Sequence, residues 1–287
     1  MAFNRKEQLI AVFEDTLYQI QNNSSLKNGT EKSIKKTKCY APDEYPSLEK
    51  KQSAKSEVTV TRHSTFEAAR KLHERYPDKR IAVLNFASAT NPGGGVKKGS
   101  SAQEEALCRC STLYPTLNQR AMWDQFYSVN RAERNVLHTD ACIYSPDVTV
   151  FKGEEPIPKT MSVREWFIVD IISCAAPNLR KEVSNAYNTE SGNAVTIKPG
   201  ELNQLHYKRA KHILSVAAAN KADILVLGAF GCGAFANDPR IVADASFRAL
   251  EEYIQYFDMV EFAIYCRNHE LENFNAFFDT YERTVLF

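Results

Sequence analysis

The chain has 287 residues, 44 % of them apolar and 25 % charged, the make-up of a folded globular protein with a sizeable core, which excludes disorder of the whole. Thirty-six basic residues against thirty-five acidic ones leave a net charge of +1, so no general field draws the protein to nucleic acid or an anionic membrane. A local anion site would have to be built from backbone and a few side chains.

The first twenty residues, MAFNRKEQLIAVFEDTLYQI, hold acids and no long apolar run, so neither a signal peptide nor a membrane span is expected there. Leu9, Ile10, Phe13, Leu17 and Ile20 fall at helical spacing and predict an amphipathic helix over 5–22. Residues 22–38 are polar and rich in Lys and Ser, which reads as a loop or frayed helix. With Pro42 and Pro46 beyond, 1–56 is expected to be an N-terminal helical extension and connector packed on the domain formed by 57–287. EVTVT (57–61) alternates like a strand, and TFEAARKLHERY (65–76) reads as a helix with Ser64 or Thr65 as its N-cap. IAVLNF (81–86) is near-continuously apolar, the mark of a strand buried on both faces of a parallel or mixed sheet. Residues 137–163 hold short β-prone pieces between prolines, a strand or two and an exposed loop. WFIVDIISCAA (166–176), DILVLGAF (223–230) and VEFAIYC (260–266) are further strands, while 201–219, 239–256 and 269–283 have helical periodicity. Alternating strands and helices predict an α/β domain.

The seven cysteines are an odd number, mostly in apolar segments, which suggests reduced thiols in the cytoplasm rather than a disulfide frame. Cys108 and Cys110 form only a C-x-C, and with no CxxC or HExxH no metal is expected. His206 and His212 are six apart, off ligand spacing, and each histidine reads as structural or exposed. The basic run at Lys35, Lys36, Lys38, Lys50 and Lys51 reads as solvated surface.

Two glycine-rich loops follow two of the buried strands: NFASATNPGGGVKKGSSAQEEALCRCSTLY (85–114) and LGAFGCGAFANDP (227–239). Ligands of α/β sheets bind beyond the carboxyl ends of strands. Gly93, Gly94 and Gly95 weaken a folded segment entropically, and make sense where the chain turns sharply and its amides meet a ligand. A diphosphate is the natural occupant of two such loops facing each other. Familiar phosphate motifs fit poorly. Lys98-Gly99-Ser100 reverses the order a P-loop needs, and the acids after Gly231-Cys232-Gly233-Ala234-Phe235-Ala236 fall inside a predicted helix rather than ending a strand. Within the second loop, Cys232 reads as a small residue tolerated in a tight turn rather than a nucleophile, and Phe230 as either core or ligand wall. Asn91 and Pro92 read as turn-formers.

Gln103, Glu104 and Glu105 open a predicted helix after Ser100 and Ser101. Ser101-x-x-Glu104 has capping-box spacing, and the helix dipole is expected to keep both acids ionised. Adjacent helical residues point about 100° apart, so the two acids cannot do the same job. One can cap or hold a hydroxyl while the other faces a scissile bond.

The triple glycine, a seven-residue spacer and Gln103-Glu104-Glu105, together with AAPN (175–178) and GCGAF (231–235) in order, resemble the signature of poly(ADP-ribose) glycohydrolases of the shorter, bacterial type. The likeness covers roughly 80–270. It implies a macrodomain-like α/β fold, a mixed sheet flanked by helices, with added helices at the N-terminus. It implies release of ADP-ribose from poly(ADP-ribose) or ADP-ribosylated proteins by hydrolysis of the ribose–ribose O-glycosidic bond, without metal or cofactor, by a monomer with no membrane partner. Carried over by position, Glu105 is the catalytic acid/base and Glu104 binds ribose hydroxyls beside the bond. Gln103 contacts the ligand, and Gly93, Gly94 and Gly95 with Gly231, Cys232, Gly233 and Ala234 hold the diphosphate. Phe235 packs on the distal ribose. Animal-type members of the family carry Asn where this chain has Ser88, so a hydroxyl contact there is altered or lost. Two other readings stay open: a macrodomain that binds ADP-ribose without cutting, against which the intact Gln103-Glu104-Glu105 argues, and a hydrolase of ADP-ribose linked to protein, nucleic acid or a small molecule.

Overall fold

The computed structural model describes residues 4–49, 56–183 and 193–285. Lys50 and Lys51 of the basic run lie outside them. Helix α1 (Arg5–Asn22) starts at a reciprocal cap between Asn4 and Glu7 and buries Leu9, Phe13, Thr16 and Ile20, the face its period predicts. Residues read as loop or frayed helix are instead a full helix, α2 (Ser24–Lys36), whose first N–H groups are capped by Asn23. Its buried stripe is Leu26, Thr30 and Ser33. Two of those three are polar, so a hydrophobicity period does not register them. Strand β1 (Lys38–Tyr40) comes directly after it, so the N-terminal segment supplies a strand as well as helices.

Next come β2 (Glu57–Thr61), α3 (Thr65–Arg75), β3 (Ile81–Phe86), α4 (Gln103–Cys110), α5 (Leu113–Leu117), α6 (Arg120–Met122) and α7 (Ser128–Glu133). The chain continues through β4 (Cys142–Val150), β5 (Phe167–Cys174), α8 (Pro199–Ala219), β6 (Ile224–Leu227), α9 (Pro239–Tyr253), β7 (Met259–Ala263) and α10 (Glu272–Val285). Ser64 is the N-cap of α3, with Glu67 completing the box. Among the described residues no helix is long and apolar enough to cross a membrane.

The strands form one mixed sheet in the order β1-β4-β5-β3-β6-β7-β2. The pairs β1–β4 and β4–β5 are antiparallel and the rest parallel. Strand β4 runs through Pro146 because its register with β5 shifts between Ser145 and Val148. Side chains of β3 alternate between two cores. Ile81 and Val83 join Phe13, Phe66 and Leu107 on one face. Ala82 and Leu84 join Ile213, Val242 and Phe277 on the other. Helices thus cover both faces, and β3, fully covered, reads as an apolar run.

Helix α1 is locked to this body by polar contacts as well as packing. The buried Lys152 ammonium reaches Asp15 at 2.6 Å and the carbonyl of Val12 at 3.0 Å, and Thr16 Oγ1 donates to the Arg109 carbonyl at 2.6 Å. The loops after β3, β5, β6 and β7 all emerge at the carboxyl edge of the parallel strands, which is where a ligand site is expected.

Candidate active site

The loop from β3 to α4 makes two positive-φ turns in succession, at Gly93 (67°) and Gly94 (55°). These turns bring the backbone against the start of α4, where two carboxylates converge. A Cβ on Gly94 would lie 2.7 Å from Glu105 Oε1 and 3.1 Å from Glu104 Oε2. The glycines therefore make room for this chain's own acids. Gly95 N–H donates to Glu105 Oε1 at 2.9 Å, and Gly94 N–H to the Asn91 carbonyl at 3.0 Å. Gly93 is packed beneath the loop against Tyr114, Val96 and Cys108.

Glu104 and Glu105 are 3 % and 7 % exposed. Glu104 Oε2 accepts from Ser88 N–H at 2.8 Å, and Asn85 Nδ2 lies 3.4 Å from Oε1. The capping box expected at Ser101 does not form: the N-cap of α4 is Ala102, which makes no side-chain cap, and Glu104 points to β3 and its loop instead. Nor does the dipole keep Glu104 readily ionised. Burial, then the charge of Glu105 beside it, pushes its carboxyl well above the ordinary range, against the bonds from Ser88, Asn85 and Gly93. Glu105 Oε2 is buried and has no partner among the described residues. One turn further along α4, Arg109 is 2 % exposed and bonds the Ser100 carbonyl through Nη1 at 2.6 Å.

Gln103 lines the cleft and its amide is bonded to the scaffold. Its Oε1 accepts from Phe86 N–H at 2.8 Å, and its Nε2 donates to the Leu84 carbonyl at 2.7 Å and to Thr65 Oγ1 at 3.1 Å. It ties the end of β3 to the start of α4 and α3. Ser88 Oγ accepts from Asn91 N–H at 3.2 Å and shapes the loop.

The second loop comes after β6. Gly231 has φ 79°, and a Cβ there would strike Ala176 Cβ at 2.6 Å and Asn237 Nδ2 at 2.7 Å. Among the described residues the main-chain N–H groups of Gly231, Gly233, Ala234 and Phe235 make no hydrogen bond; four such donors in one turn are an anion-binding concavity. Cys232 instead donates its N–H to the Ala229 carbonyl and packs its side chain toward the core, where burial raises its thiol pKa. A thiol so placed is no nucleophile. Phe230 is core, against Phe86 and His206. The half-buried Phe235 ring has the Arg180 guanidinium 5.5 Å from its centroid.

Both loops open on one cleft of about 850 Å³, large enough for a dinucleotide-sized ligand. Ser88, Gly94, Gly95, Gln103, Glu104 and Glu105 line one side. Gly231, Gly233, Ala234 and Phe235 line the other, while Gly93 and Cys232 lie off the wall. The sequence reading missed Arg109, Arg180 and, from α1, Arg5 and Leu9, all on the wall. Only Arg109, one helical turn after Glu105, carries a signal that could have found it. Among the described residues no group of three or more His, Cys, Asp or Glu is placed to hold a metal ion.

Residues 6–153 match the family described as microbial-type PARG, catalytic domain. Among solved structures, the chain is similar to the poly(ADP-ribose) glycohydrolase of Thermomonospora curvata bound to the inhibitor ADP-HPD, at 29 % identity over 95 % of this chain and 99 % of that one, with a TM-score of 0.79. It is likewise similar to the poly(ADP-ribose) glycohydrolase of Deinococcus radiodurans in complex with ADP-ribose, at 34 % identity over 89 % of this chain and 98 % of that one, with a TM-score of 0.74. No curated protein matches the chain.

Proposed function

The chain belongs to the microbial-type poly(ADP-ribose) glycohydrolase family, and from that premise we propose how its two loops and its carboxylate pair cut the polymer. It is a glycosidase of macrodomain-like fold that hydrolyses poly(ADP-ribose). The unpartnered amides of 231–235 receive the diphosphate of the terminal ADP-ribose unit, and Phe235 packs on its distal ribose. Glu104 accepts hydrogen bonds from ribose hydroxyls beside the bond. Glu105 is the acid/base, and Gln103 positions both acids without touching substrate.

In the reaction Glu105 gives its proton to the oxygen of the leaving ribose as the anomeric carbon–oxygen bond breaks. Positive charge develops on the anomeric carbon and ring oxygen, close to the diphosphate. Water then attacks that carbon and returns a proton to Glu105, so the enzyme ends as it began. Paired glycosidase carboxylates ordinarily flank the bond from two sides. Here both acids come from consecutive residues of one helix turn and converge on Gly94, which favours a single acid/base assisted by the substrate's phosphates.

The observation that carries this reading is the state of one carboxylate. Glu105 has one oxygen fixed by Gly95 N–H and the other buried without a partner among the described residues, in the cleft lined on its far side by the 231–235 turn. In this reading 57–287 is the catalytic unit and 1–56 an extension that contributes Arg5 and Leu9 to the cleft wall. The odd, CxxC-free set of seven cysteines supports a reducing, cytoplasmic setting, and the enzyme acts as a monomer. Labelled polymer, mono-ADP-ribosylated protein and ADP-ribosylated DNA, each incubated with the protein and chromatographed, test the substrate. Free ADP-ribose released from polymer is expected. Release from the mono-ADP-ribosyl substrates alone moves the enzyme to that linkage, and tight binding without release makes it a reader.

A further inference from the structure

The turn whose four amides have no partner among the described residues is held from behind by Leu179 N–H, which donates to the Phe235 carbonyl at 2.9 Å, and by the side chain of Asn237. Asn237 is 2 % exposed. Its Nδ2 donates to the carbonyls of Pro177 at 2.7 Å and Gly231 at 3.0 Å, with Phe235 at 3.3 Å. The first carbonyl belongs to AAPN, and the other two are the ends of the turn in GCGAF. Two sequence motifs about fifty residues apart are thus joined through one amide. Its main-chain N–H also donates to the Gly231 carbonyl, at 3.1 Å.

Since Nδ2 is committed to carbonyls, Oδ1 faces the other way, where His206 Nε2 lies 2.8 Å from it. An oxygen there requires the histidine to donate, so the proton of the neutral ring is on Nε2. His206 comes from the middle of α8 and is 3 % exposed. Burial keeps it neutral, with its pKa lowered to about 4. Asn237 also occupies the space that any side chain at position 231 would need.

We propose that Asn237 and His206 are a positioning pair for the diphosphate subsite: Asn237 draws the carbonyls of the 231–235 turn inward, so that its N–H groups face the cleft, and His206 holds Asn237 in the one orientation that does so. This rests on the reading of that turn as the diphosphate site. Neither residue touches substrate. Their effect is preorganisation of backbone donors, which acts on phosphate-bearing ligands and not on the nucleoside portion.

The test measures dissociation constants for ADP-ribose and for adenosine, with kcat and KM on polymer, for Asn237→Ala, His206→Leu and His206→Gln. Asn237→Ala is expected to weaken ADP-ribose binding and raise KM by about ten-fold or more, the loss that one or two misaligned hydrogen bonds bring. Adenosine affinity stays within about three-fold, inside the scatter of a single net hydrogen bond. His206→Leu shows the same pattern, whereas His206→Gln, whose amide can donate to Oδ1, retains wild-type ADP-ribose affinity. If Asn237→Ala fails to fold, the Leu and Gln variants at 206 carry the comparison alone. The proposal is overturned if His206→Leu binds ADP-ribose as the wild type does, or if ADP-ribose and adenosine lose affinity equally. Failure of the wild-type protein itself to bind ADP-ribose overturns the underlying site reading instead.

Discussion

Gly95 donates its main-chain N–H to one oxygen of the Glu105 carboxylate at 2.9 Å, so the loop that wraps the ligand site also aims the acid. From sequence alone the triple glycine reads as a place where backbone approaches a ligand. What the backbone approaches first is Glu104 and Glu105.

Gly94→Ala tests that geometry. The new methyl would lie 2.7 Å from Glu105 Oε1, at a φ of +55° that L residues avoid. Backbone strain of about 1–3 kcal/mol is expected, with displacement of the carboxylate. Denaturation midpoints should fall modestly and kcat steeply. A variant with wild-type kcat would mean that Glu105 need not sit where the loop holds it.

Gln103→Ala removes three hydrogen bonds and leaves Phe86 N–H and the Leu84 carbonyl without their partners. At about 1 kcal/mol net for each bond, roughly 2–4 kcal/mol of stability is lost. In the proposed mechanism the Gln103 amide is spent on the scaffold, so ADP-ribose affinity should fall less than kcat. Calorimetry beside steady-state kinetics separates the two, and a loss confined to affinity would restore Gln103 to the ligand.

Burial lowers the pKa of His138 and of His206 to about 4, with the nearby Arg209 charge pushing the same way and hydrogen bonds to the Ala176 carbonyl and Asn237 Oδ1 opposing. The unfolded chain takes up these protons near pH 6.5 and the folded protein only near 4. Each histidine's contribution is therefore complete above pH 6.5 and is lost as pH falls toward 4, on the order of 3 kcal/mol per group. Denaturant titrations from pH 7.5 to 4.5 should show that decline, shallower in His206→Gln. Equal slopes for the two proteins would place His206 in contact with water.

The strands other than β1, the principal helices and both glycine loops were legible because each rests on a local signal: apolar runs in β3 and β6, a helical period in α1 and α3, glycine punctuation after strands. Helix α2 was hidden because it buries Thr30 and Ser33 through hydrogen bonds, Thr30 to the Leu26 carbonyl and Ser33 to the Pro146 carbonyl. The cap assigned to Ser101 failed since the competing acceptor role of Glu104, toward Ser88 N–H, is set by a loop sixteen residues away. Asn237 gains its meaning only in three dimensions. Nothing about an asparagine after Phe-Ala announces that it joins two loops.

In the proposed mechanism the carboxylate of Glu105 performs both proton transfers of glycosidic cleavage. Its most direct test is single-turnover cleavage of labelled poly(ADP-ribose) by Glu105→Gln and wild-type protein, each saturated with polymer and checked for ADP-ribose affinity. The amide can still accept from Gly95 N–H but cannot give or take the proton, so affinity within a few-fold of wild type and a rate lowered by about 10²–10⁴ are predicted. A Glu105→Gln protein that cuts the polymer at the wild-type rate would contradict the claim.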